Sequence, residues 1–210
     1  MSDQSLPVVE IFHSLQGEGF HAGRSALFIR LAGCSVGCTW CDTKNSWAAE
    51  DHRRRRIREI VDEAHQARDD GAGFIVVTGG EPLEHDLTSL CEELRQTCLP
   101  LHIETSGTAN LSGRFDWVTL SPKRHKPPLS SMTALCNELK MIVHTEDDLV
   151  FAVEMAKKAK TRSELSPRNP ILIVQPGWQS KIGKDLAMNF AMSNREWRLS
   201  LQSHKILGIQ

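Results

Sequence analysis

Short apolar runs recur along the whole chain, and most of them end in polar residues or glycine. Runs this short are typical of strands that are covered on both faces of a parallel sheet. The segments predicted as strands are 8–12, 25–31, 73–78, 99–104, 116–120, 138–143, 171–175 and 197–202. Polar residues recur where many of them end: Cys34, Thr78–Glu81, Glu104, Ser121–Lys123, Gln175 and Gln202–His204. Because a parallel barrel builds its site from several strand ends, we expect these side chains to share one site.

Helical spacing of apolar residues is found in segments 57–70, 87–94, 146–160 and 184–193. In the third of these, the residues expected to face inward are Leu149, Val150, Val153 and Ala156. About eleven residues separate strands 99–104 and 116–120, too few for a crossover helix, and residues 124–136 show no helical periodicity. We therefore predict an α/β fold, an incomplete TIM-type barrel of about six parallel strands with few, shortened helices.

Length and composition indicate a single domain. The chain has 210 residues, 40% of them hydrophobic, and we expect one domain over residues 1–210 in which residues 197–210 close the site. The formal net charge of −1 gives no basic field that would attract nucleic acid or an anionic membrane. No apolar run approaches the roughly twenty residues of a membrane span and no signal peptide is evident, so we expect a cytoplasmic protein.

Three cysteines, Cys34, Cys38 and Cys41, lie close together in the spacing C-x3-C-x2-C. A disulfide would leave one thiol over, and loops this short strain the bridge. Thiolates suit zinc and iron–sulfur clusters, and a site made only of protein ligands usually takes four of them. Three cysteines would leave one iron of a cluster open to a ligand that is not protein, whereas a zinc site would need a histidine as well. The other cysteines are expected to be small buried hydrophobes: Cys91, Cys98 and Cys136.

Two charged features have both a structural and a functional interpretation. Arg30 lies in an apolar strand and needs an anionic partner, either a bound carboxylate or a carboxylate of the protein. The run of arginines at 53–56 is either a patch for nucleic acid or the start of a solvated helix with the arginines outward, and we favour the helix.

Several motifs, in order along nearly the whole chain, resemble known families. Cys34-x3-Cys38-x2-Cys41 followed by Gly79-Gly80-Glu81-Pro82 resembles the radical S-adenosylmethionine (SAM) superfamily. The motifs that resemble the 7-carboxy-7-deazaguanine synthase family within it are Ser14-Leu-Gln-Gly-Glu-Gly19, Phe28-Ile-Arg30-Leu-Ala-Gly-Cys34, Cys41-Asp-Thr43, Val77-Thr-Gly-Gly-Glu-Pro82, Ser121-Pro-Lys123, Asn137-Glu-Leu-Lys140, Val174-Gln-Pro176 and Ser203-His-Lys205. This resemblance favours an iron–sulfur cluster over zinc.

The resemblance implies two cofactors that act together. Cys34, Cys38 and Cys41 would hold three irons of a [4Fe–4S] cluster, and SAM would chelate the fourth. The cluster would deliver one electron and cleave SAM to methionine and a 5′-deoxyadenosyl radical, so that the cofactors carry the difficult chemistry. The residues expected to contact SAM are Trp40, Cys41, Asp42, Gly79, Gly80, Glu81, Ser121, Lys123, Gln175, Pro176, Gly177 and Trp178.

The substrate implied by the resemblance is 6-carboxy-5,6,7,8-tetrahydropterin, whose ring contracts to 7-carboxy-7-deazaguanine with loss of ammonia in queuosine biosynthesis. The residues expected to contact it are Leu15, Gln16, Gly17, Glu18, Arg30, Thr78, His204 and Gln210. Arg30 would pair with the substrate carboxylate, and Thr43 would bind a Mg²⁺ that bridges to the substrate. His204 could equally be structural, and Gln210 would act through its terminal carboxylate.

The resemblance also implies partners and leaves alternatives open. An electron donor such as flavodoxin and a homodimer are expected. One alternative is a small radical SAM activase that makes a glycyl radical on a partner protein. It would share the cysteine loop, but residues 15–18 and 203–205 favour a small enclosed substrate. The other is a zinc module that binds nucleic acid through the arginines at 53–56.

Overall fold

The computed structural model describes residues 4–160 and 169–210. The strands are β1 (Ser5–Leu15), β2 (Ser25–Leu31), β3 (Arg54–Arg56), β4 (Ile75–Gly79), β5 (Leu101–Thr105), β6 (Trp117–Leu120), β7 (Glu138–Val143), β8 (Ile171–Pro176) and β9 (Trp197–Leu199). The helices are α1 (Ile57–Asp69), α2 (Thr88–Leu94), α3 (Ser130–Leu135), α4 (Glu146–Lys160), α5 (Lys181–Ser193) and α6 (Ser203–Leu207). None of the helices in this part of the chain has the length and apolar character needed to cross a membrane.

All strands belong to one open sheet in the order β3-β1-β2-β4-β5-β6-β7-β8-β9. From β2 to β9 each neighbouring pair runs parallel, which gives seven parallel strands within the described residues. β1 pairs antiparallel with β2, and β3 pairs antiparallel with β1. The predicted α/β fold, an incomplete barrel with few helices, is confirmed.

Alternate residues of each strand point to opposite faces of this sheet. On β7, Leu139, Met141 and Val143 belong to the main apolar core, together with buried residues of the helices. Glu138 and Lys140, which alternate with these residues and point to the other face, are also buried. They lie outside that core and line the polar interior of the barrel. The sheet therefore has an apolar face toward the helices and a polar face toward its concave side.

One part of the concave side, around Phe74 before β4 and His102 of β5, is apolar and aromatic. Phe28, Phe74 and Val76 form a second buried cluster, and the ring of His102 lies 4.4 Å from that of Phe74. Burial lowers the pKa of His102 to about 3, with a further contribution from the nearby charge of His21. The His102 ring is therefore neutral near pH 7 and packs as part of this aromatic cluster.

The sequence suggested that the arginines at 53–56 begin a helix, and this prediction was wrong. Arg54, Arg55 and Arg56 form β3, because this segment pairs with residues 5–7 of β1 before α1 begins. Arg55 pairs with Glu63 of α1 at 2.6 Å, and Arg56 pairs with Glu59 at 2.9 Å. These partners weaken the interpretation of the segment as a patch for nucleic acid.

Two predictions about helices were also wrong. Residues 124–136 contain α3, which follows Pro127 and Pro128 and buries Met132. In α4 the predicted inward residues Ala156 and Leu149 do pack on the core, but Val150 and Val153 are 71% and 36% exposed. The rest of the buried face is Phe151, Ala152, Met155 and Ala159. The buried stripe is rich in alanine, so its apolar character is weaker in the sequence than that of the valines.

Smaller differences concern element ends and one cysteine. β1 is longer than predicted, and α5 begins at Lys181, because the Ser180 hydroxyl accepts a hydrogen bond from the Gly183 amide and caps the helix. The predicted strand 197–202 ends at Leu199, and the chain then turns into α6. Cys91 and Cys136 are buried as expected, but Cys98 is exposed at a turn where its φ is 60°.

Candidate active site

A cavity of about 400 Å³ lies at the carboxyl ends of the parallel strands. Of the residues that the sequence placed at the cluster, SAM, the substrate or magnesium, all except Pro176 line it: Leu15, Gln16, Gly17, Glu18, Arg30, Cys34, Cys38, Trp40, Cys41, Asp42, Thr43, Thr78, Gly79, Gly80, Glu81, Ser121, Lys123, Gln175, Gly177, Trp178, His204 and Gln210. Pro176 ends β8 without contributing to the lining. Residues that are far apart in the sequence thus share one site.

Backbone hydrogen bonds hold the loop that carries the cysteines. The Cys34 amide donates to the Trp47 carbonyl at 3.1 Å, and the Cys41 amide donates to the Cys38 carbonyl at 3.1 Å. Burial raises the pKa of the Cys34 and Cys38 thiols, although the charge of Lys123 opposes this at Cys38. A bound cation would therefore stabilise the Cys34 and Cys38 thiolates.

The glycine pair after β4 allows the cysteine loop to lie against the strand end. A Cβ on Gly80 would lie 2.3 Å from the Gly33 carbonyl oxygen and 2.8 Å from the Cys34 Cβ. A Cβ on Gly79, whose φ is +141°, would lie 2.1 Å from the Leu31 carbonyl oxygen. Only bare backbone fits here, and it places Cys34 beside the end of β4.

The Glu81 carboxylate is 1% exposed and is bound on both oxygens by the protein. Oε1 accepts from the Leu83 amide at 3.1 Å and from the Thr105 hydroxyl at 2.5 Å. Oε2 accepts from the Ser106 amide at 2.8 Å and from the Ser106 hydroxyl. Because a carboxylate offers about four acceptor sites, these donors occupy it, and Glu81 links the end of β4 to the end of β5.

A turn after β6 also holds the cysteine loop, and sequence reasoning missed it. The His125 ring lies 3.1 Å from the Val36 carbonyl oxygen, and the Lys126 ammonium donates to the Ser35 carbonyl at 2.9 Å. These contacts join segments about ninety residues apart, and no local pattern announces them. The cysteine loop is consequently supported by β4 on one side and by this turn on another.

The cysteine loop suits an iron–sulfur cluster better than a single metal ion. Within residues 4–160 and 169–210, no group of three or more His, Cys, Asp or Glu side chains is arranged around a single metal ion. A cluster is larger and takes one thiolate on each iron, so its ligands need not converge on one point. The Thr43 amide donates to the Cys41 sulfur at 3.4 Å, a contact that suits a thiolate ligand.

A buried ion pair dominates the part of the cavity lined by Glu18, Glu104 and Lys140, which we call the other end of the cavity, as distinct from the cysteine end. The Lys140 ammonium is 2.6 Å from Glu18 Oε2 and 3.8 Å from Glu104 Oε1, and the Lys140 side chain is 5% exposed. Burial raises the pKa of Glu18, but the charge and hydrogen bond of Lys140 outweigh it and lower this pKa to about 2. Burial likewise lowers the pKa of Lys140, but the surrounding carboxylates raise it well above its usual value. Sequence reasoning quoted Lys140 within a motif without giving it a role.

Arg30 has a protein carboxylate as its partner, one of the two possibilities left open by the sequence. Its Nε donates to Glu10 Oε1 at 2.7 Å across the β1–β2 pair, where the two residues face each other. The Arg30 side chain is 23% exposed and lines the cavity. This bond uses one of the five N–H donors of the guanidinium.

The segment after β9 lies over the loop at residues 16–18. The Ser203 amide and hydroxyl each donate to the Gly17 carbonyl at 2.9 Å. A Cβ on Gly17 would lie 2.2 Å from His204 Nδ1, so glycine is needed for this approach. Burial lowers the pKa of His204. The Gln210 side-chain Nε2 donates to Glu10 Oε2 at 2.9 Å, next to the Arg30 pair.

Asp42 joins the same segment to the cysteine loop. Its carboxylate forms an ion pair with Lys205 and accepts the Thr43 hydroxyl at 3.0 Å. Burial raises the pKa of Asp42, but the hydrogen bond and charge of Lys205 outweigh it, so the pKa is lowered. Thr43, the residue expected to bind magnesium, therefore lies beside an ionised carboxylate.

Comparisons with known proteins agree with this architecture. The model of the Radical SAM superfamily matches residues 28–166. A 7-carboxy-7-deazaguanine synthase from Prochlorococcus marinus is 46% identical, over 97% of this chain and 98% of that protein. This chain belongs to the 7-carboxy-7-deazaguanine synthase family. It is thereby a radical SAM enzyme, and the family resemblance seen in its motifs is confirmed.

Other members of the family support the same placement. A 7-carboxy-7-deazaguanine synthase from Synechocystis sp. is 45% identical, over 98% of this chain and 94% of that protein. The crystal structure of QueE from Escherichia coli is similar with a TM-score of 0.80 and 32% identity, covering 95% of each chain. The superfamily match ends at residue 166, whereas these family members match nearly the whole chain.

Proposed function

We propose that this protein is a radical SAM enzyme that converts 6-carboxy-5,6,7,8-tetrahydropterin to 7-carboxy-7-deazaguanine with loss of ammonia. The observation that carries the proposal is a single cavity with three cysteines at one end and the Glu18–Lys140 pair at the other, in a chain of this family. One end suits the cofactors, and the other offers charged and polar groups to a small heterocycle.

At the cysteine end, Cys34, Cys38 and Cys41 would hold a [4Fe–4S] cluster, and SAM would complete it. When bound, these groups supply the one-electron chemistry that starts the reaction. The chain itself would position SAM through the bare backbone at Gly79–Gly80, since the Glu81 carboxylate is occupied by Thr105 and Ser106. The other residues proposed to surround SAM are Trp40, Asp42, Ser121, Lys123, Gln175, Gly177 and Trp178.

At the other end, Glu18 would accept hydrogen bonds from the N–H groups of the pterin. Arg30 has guanidinium N–H groups beyond the one bound to Glu10, and these would pair with the substrate carboxylate. His204, whose burial favours the neutral ring, would cover the substrate from the side of α6. The remaining proposed contacts are Leu15, Gln16, Gly17, Thr78 and Gln210.

Several parts of the proposal concern what lies beyond the cavity. Thr43 would bind a Mg²⁺ that bridges to the substrate, because its hydroxyl and the adjacent Asp42 carboxylate offer the hard oxygen ligands that this ion prefers. We also propose a homodimer of single-domain subunits, a cytoplasmic location and a flavodoxin-like electron donor. The homodimer and the electron donor come from the resemblance of the sequence to this family, whereas the single domain and the location were predicted from the sequence alone.

The experiment that tests this function is an anaerobic turnover assay. The protein is reconstituted with iron and sulfide, reduced, and given SAM, 6-carboxytetrahydropterin and magnesium, and the products are followed by mass spectrometry. A deazapurine carboxylate formed without stoichiometric consumption of SAM is expected. A tetrahydropterin without the 6-carboxylate is the matched control, and it should be turned over poorly because Arg30 would lack its partner.

The same assay separates the alternative function. If 5′-deoxyadenosine formed without any deazapurine, the radical SAM chemistry would stand and the pterin would be the wrong substrate. The activase that modifies a partner protein would then be the next candidate. The contacts of Ser203 and Lys205 across the cavity make access for a protein loop difficult, which is why we favour the small substrate.

A further inference from the structure

We propose that Lys140 and Gln202 are positioning residues that hold the Glu18 carboxylate in the orientation needed to bind the substrate. This inference rests on the proposed function, in which Glu18 contacts the pterin. Lys140 lies on β7 and Gln202 lies between β9 and α6, so two separate parts of the fold meet at one carboxylate. The sequence placed Gln202 among the polar residues at strand ends and Lys140 within a motif, but it predicted no contact for either residue.

The geometry is a two-point attachment. Lys140 Nζ donates to Glu18 Oε2 at 2.6 Å, and Gln202 Nε2 donates to Glu18 Oε1 at 2.8 Å. The buried Gln175 side chain lies close enough to contribute a further, weaker hydrogen bond to Glu18. One short bond on each oxygen fixes the plane of the carboxylate and, even with Gln175, leaves part of its roughly four acceptor sites open. Glu18, Lys140 and Gln202 all line the cavity, so a ligand there can reach the acceptor sites that remain.

The loop that carries Glu18 is fixed by its backbone as well. The Glu18 amide donates to Gln16 Oε1 at 3.1 Å, and the Gly19 amide donates to the Ser200 hydroxyl at 2.9 Å. Gln16 in turn donates to Glu104 at 2.9 Å, so the loop is tied to β5. The carboxylate therefore extends from a fixed backbone, and Lys140 and Gln202 determine where its oxygens lie.

Lys140 also determines the charge of Glu18. The titratable groups that face Glu18 from the surrounding elements are His21 after β1, Asp42 of the cysteine loop, His102 and Glu104 of β5, Lys123 after β6, Glu138 and Lys140 of β7, and His204 of α6. Among these groups Lys140 supplies the cation in hydrogen-bond contact. Without it, burial and the neighbouring carboxylates would both favour a protonated Glu18. A protonated carboxyl would lose acceptor capacity toward the N–H groups of a pterin.

The test compares Lys140→Met with Lys140→Arg in the reconstituted enzyme. Lys157→Met, on the exposed side of α4, is the matched control for the Lys→Met change. We measure kcat and KM for the pterin from about pH 5.5 to pH 8.5, a range in which a buried carboxyl without its cation can titrate. Lys140→Met should lower kcat/KM roughly 100-fold, the effect of a misplaced binding group. Lys140→Arg should restore part of that loss.

The pH profile separates positioning from mere structural support. In the wild-type enzyme Glu18 stays ionised across this range, because its pKa is about 2. In Lys140→Met its pKa should rise, so activity should fall with decreasing pH along a new acidic limb that Lys140→Arg lacks. A ¹³C NMR titration of the Glu18 carboxyl in the oxidised holoenzyme, assigned with Glu18→Gln, should show the same shift without turnover.

Several outcomes would overturn the proposal. One is a Lys140→Met profile parallel to that of the wild type, and another is equal loss in Lys140→Arg and Lys140→Met with no acidic limb, which would mean that Lys140 itself contacts the substrate. If Lys140→Met does not fold, Gln202→Leu tests the same attachment and should raise KM without a new acidic limb; an unchanged KM contradicts it. Should the wild type fail to make product, the proposed function fails, while the NMR titration still decides whether Lys140 sets the charge of Glu18.

Discussion

The two ends of the cavity are held in different ways. At the cysteine end, backbone hydrogen bonds and close backbone contacts at Gly79 and Gly80 fix the loop. At the other end, side-chain charges and amides fix Glu18, with Lys140 as the central cation. We therefore expect function at the cysteine end to be sensitive to changes in backbone shape and in the cysteine ligands. Function at the other end, around Glu18, should be sensitive to changes in charge and in pH.

The largest expected effect at the cysteine end is that of Cys38→Ala. Removing one of three thiolates should prevent assembly of the cluster, so iron and sulfide content and radical chemistry should both be lost while the protein still folds. Cys136→Ala is the control, because Cys136 is buried beside α3, away from the cavity. Iron content near that of the wild type in Cys38→Ala would contradict the role of this loop.

Gly80→Ala should have the next largest effect, because it tests the shape of the cysteine end without changing any ligand. The added Cβ would lie 2.3 Å from the Gly33 carbonyl oxygen, so the loop that precedes Cys34 must move. We expect a loss of about 1–3 kcal/mol in the free energy of unfolding and a strongly reduced cluster content. Denaturant unfolding and iron analysis measure the two effects.

The matched control for Gly80, which follows β4, is a glycine that precedes the same strand. Gly73 precedes β4, and a Cβ there would meet its nearest neighbour, the Ser25 carbonyl oxygen, at 3.3 Å. Gly73→Ala should therefore cost less stability and leave the cluster content unchanged. If both alanine variants lost the cluster equally, close approach of the backbone at Gly80 would not be the reason.

The sequence predicted the cysteine end much better than the other end, and the reason is distance along the chain. The cysteines lie within one loop, and the Gly-Gly-Glu-Pro segment follows a strand, so spacing and strand ends are enough to bring them together. The Lys140–Glu18 pair joins residues 122 apart, and the Gln202–Glu18 bond joins residues 184 apart. Such pairs depend on the strand order and register of the sheet, which no local pattern specifies.

Local sequence signals also account for the strands and helices that were predicted correctly. The bounds of β2, β7 and α4 agree with the sequence, because apolar runs and a long amphipathic segment are local signals. The strand β3 was missed, since Arg54, Arg55 and Arg56 are extended only through pairing with β1 and through the carboxylates of α1. Tertiary context overrode the local pattern there.

Thr105→Val should have a moderate effect, and it tests the link between β4 and β5 at Glu81. The substitution keeps the shape and removes the hydroxyl, which donates to Glu81 Oε1 at 2.5 Å and accepts from the Gly107 amide at 2.9 Å. The Gly107 bond is between neutral groups, like the one lost in the control variant. Because hydrogen bonds to ionised groups contribute more than neutral ones, we expect a loss of about 1.5–3 kcal/mol in the free energy of unfolding. Thr133→Val is the control, since that buried hydroxyl donates to a neutral carbonyl, that of Ser130, and should cost about 1 kcal/mol. Equal losses in the two variants would show that the charge of Glu81 is unimportant for this link.

Thr43→Ala should have the smallest effect, and it tests the place where the two ends of the cavity meet. The Thr43 hydroxyl donates to Asp42, whose carboxylate is already paired with Lys205 of the closing segment. The cysteine loop should therefore keep its position without the hydroxyl, and cluster content should not change. The magnesium concentration for half-maximal activity should rise about tenfold, as expected when one contact worth about 1.4 kcal/mol is lost. Thr43→Ser, which keeps the hydroxyl, should retain the wild-type response. If Thr43→Ala lost the cluster with its magnesium response unchanged, Thr43 would belong to the support of the cysteine loop and not to a metal site.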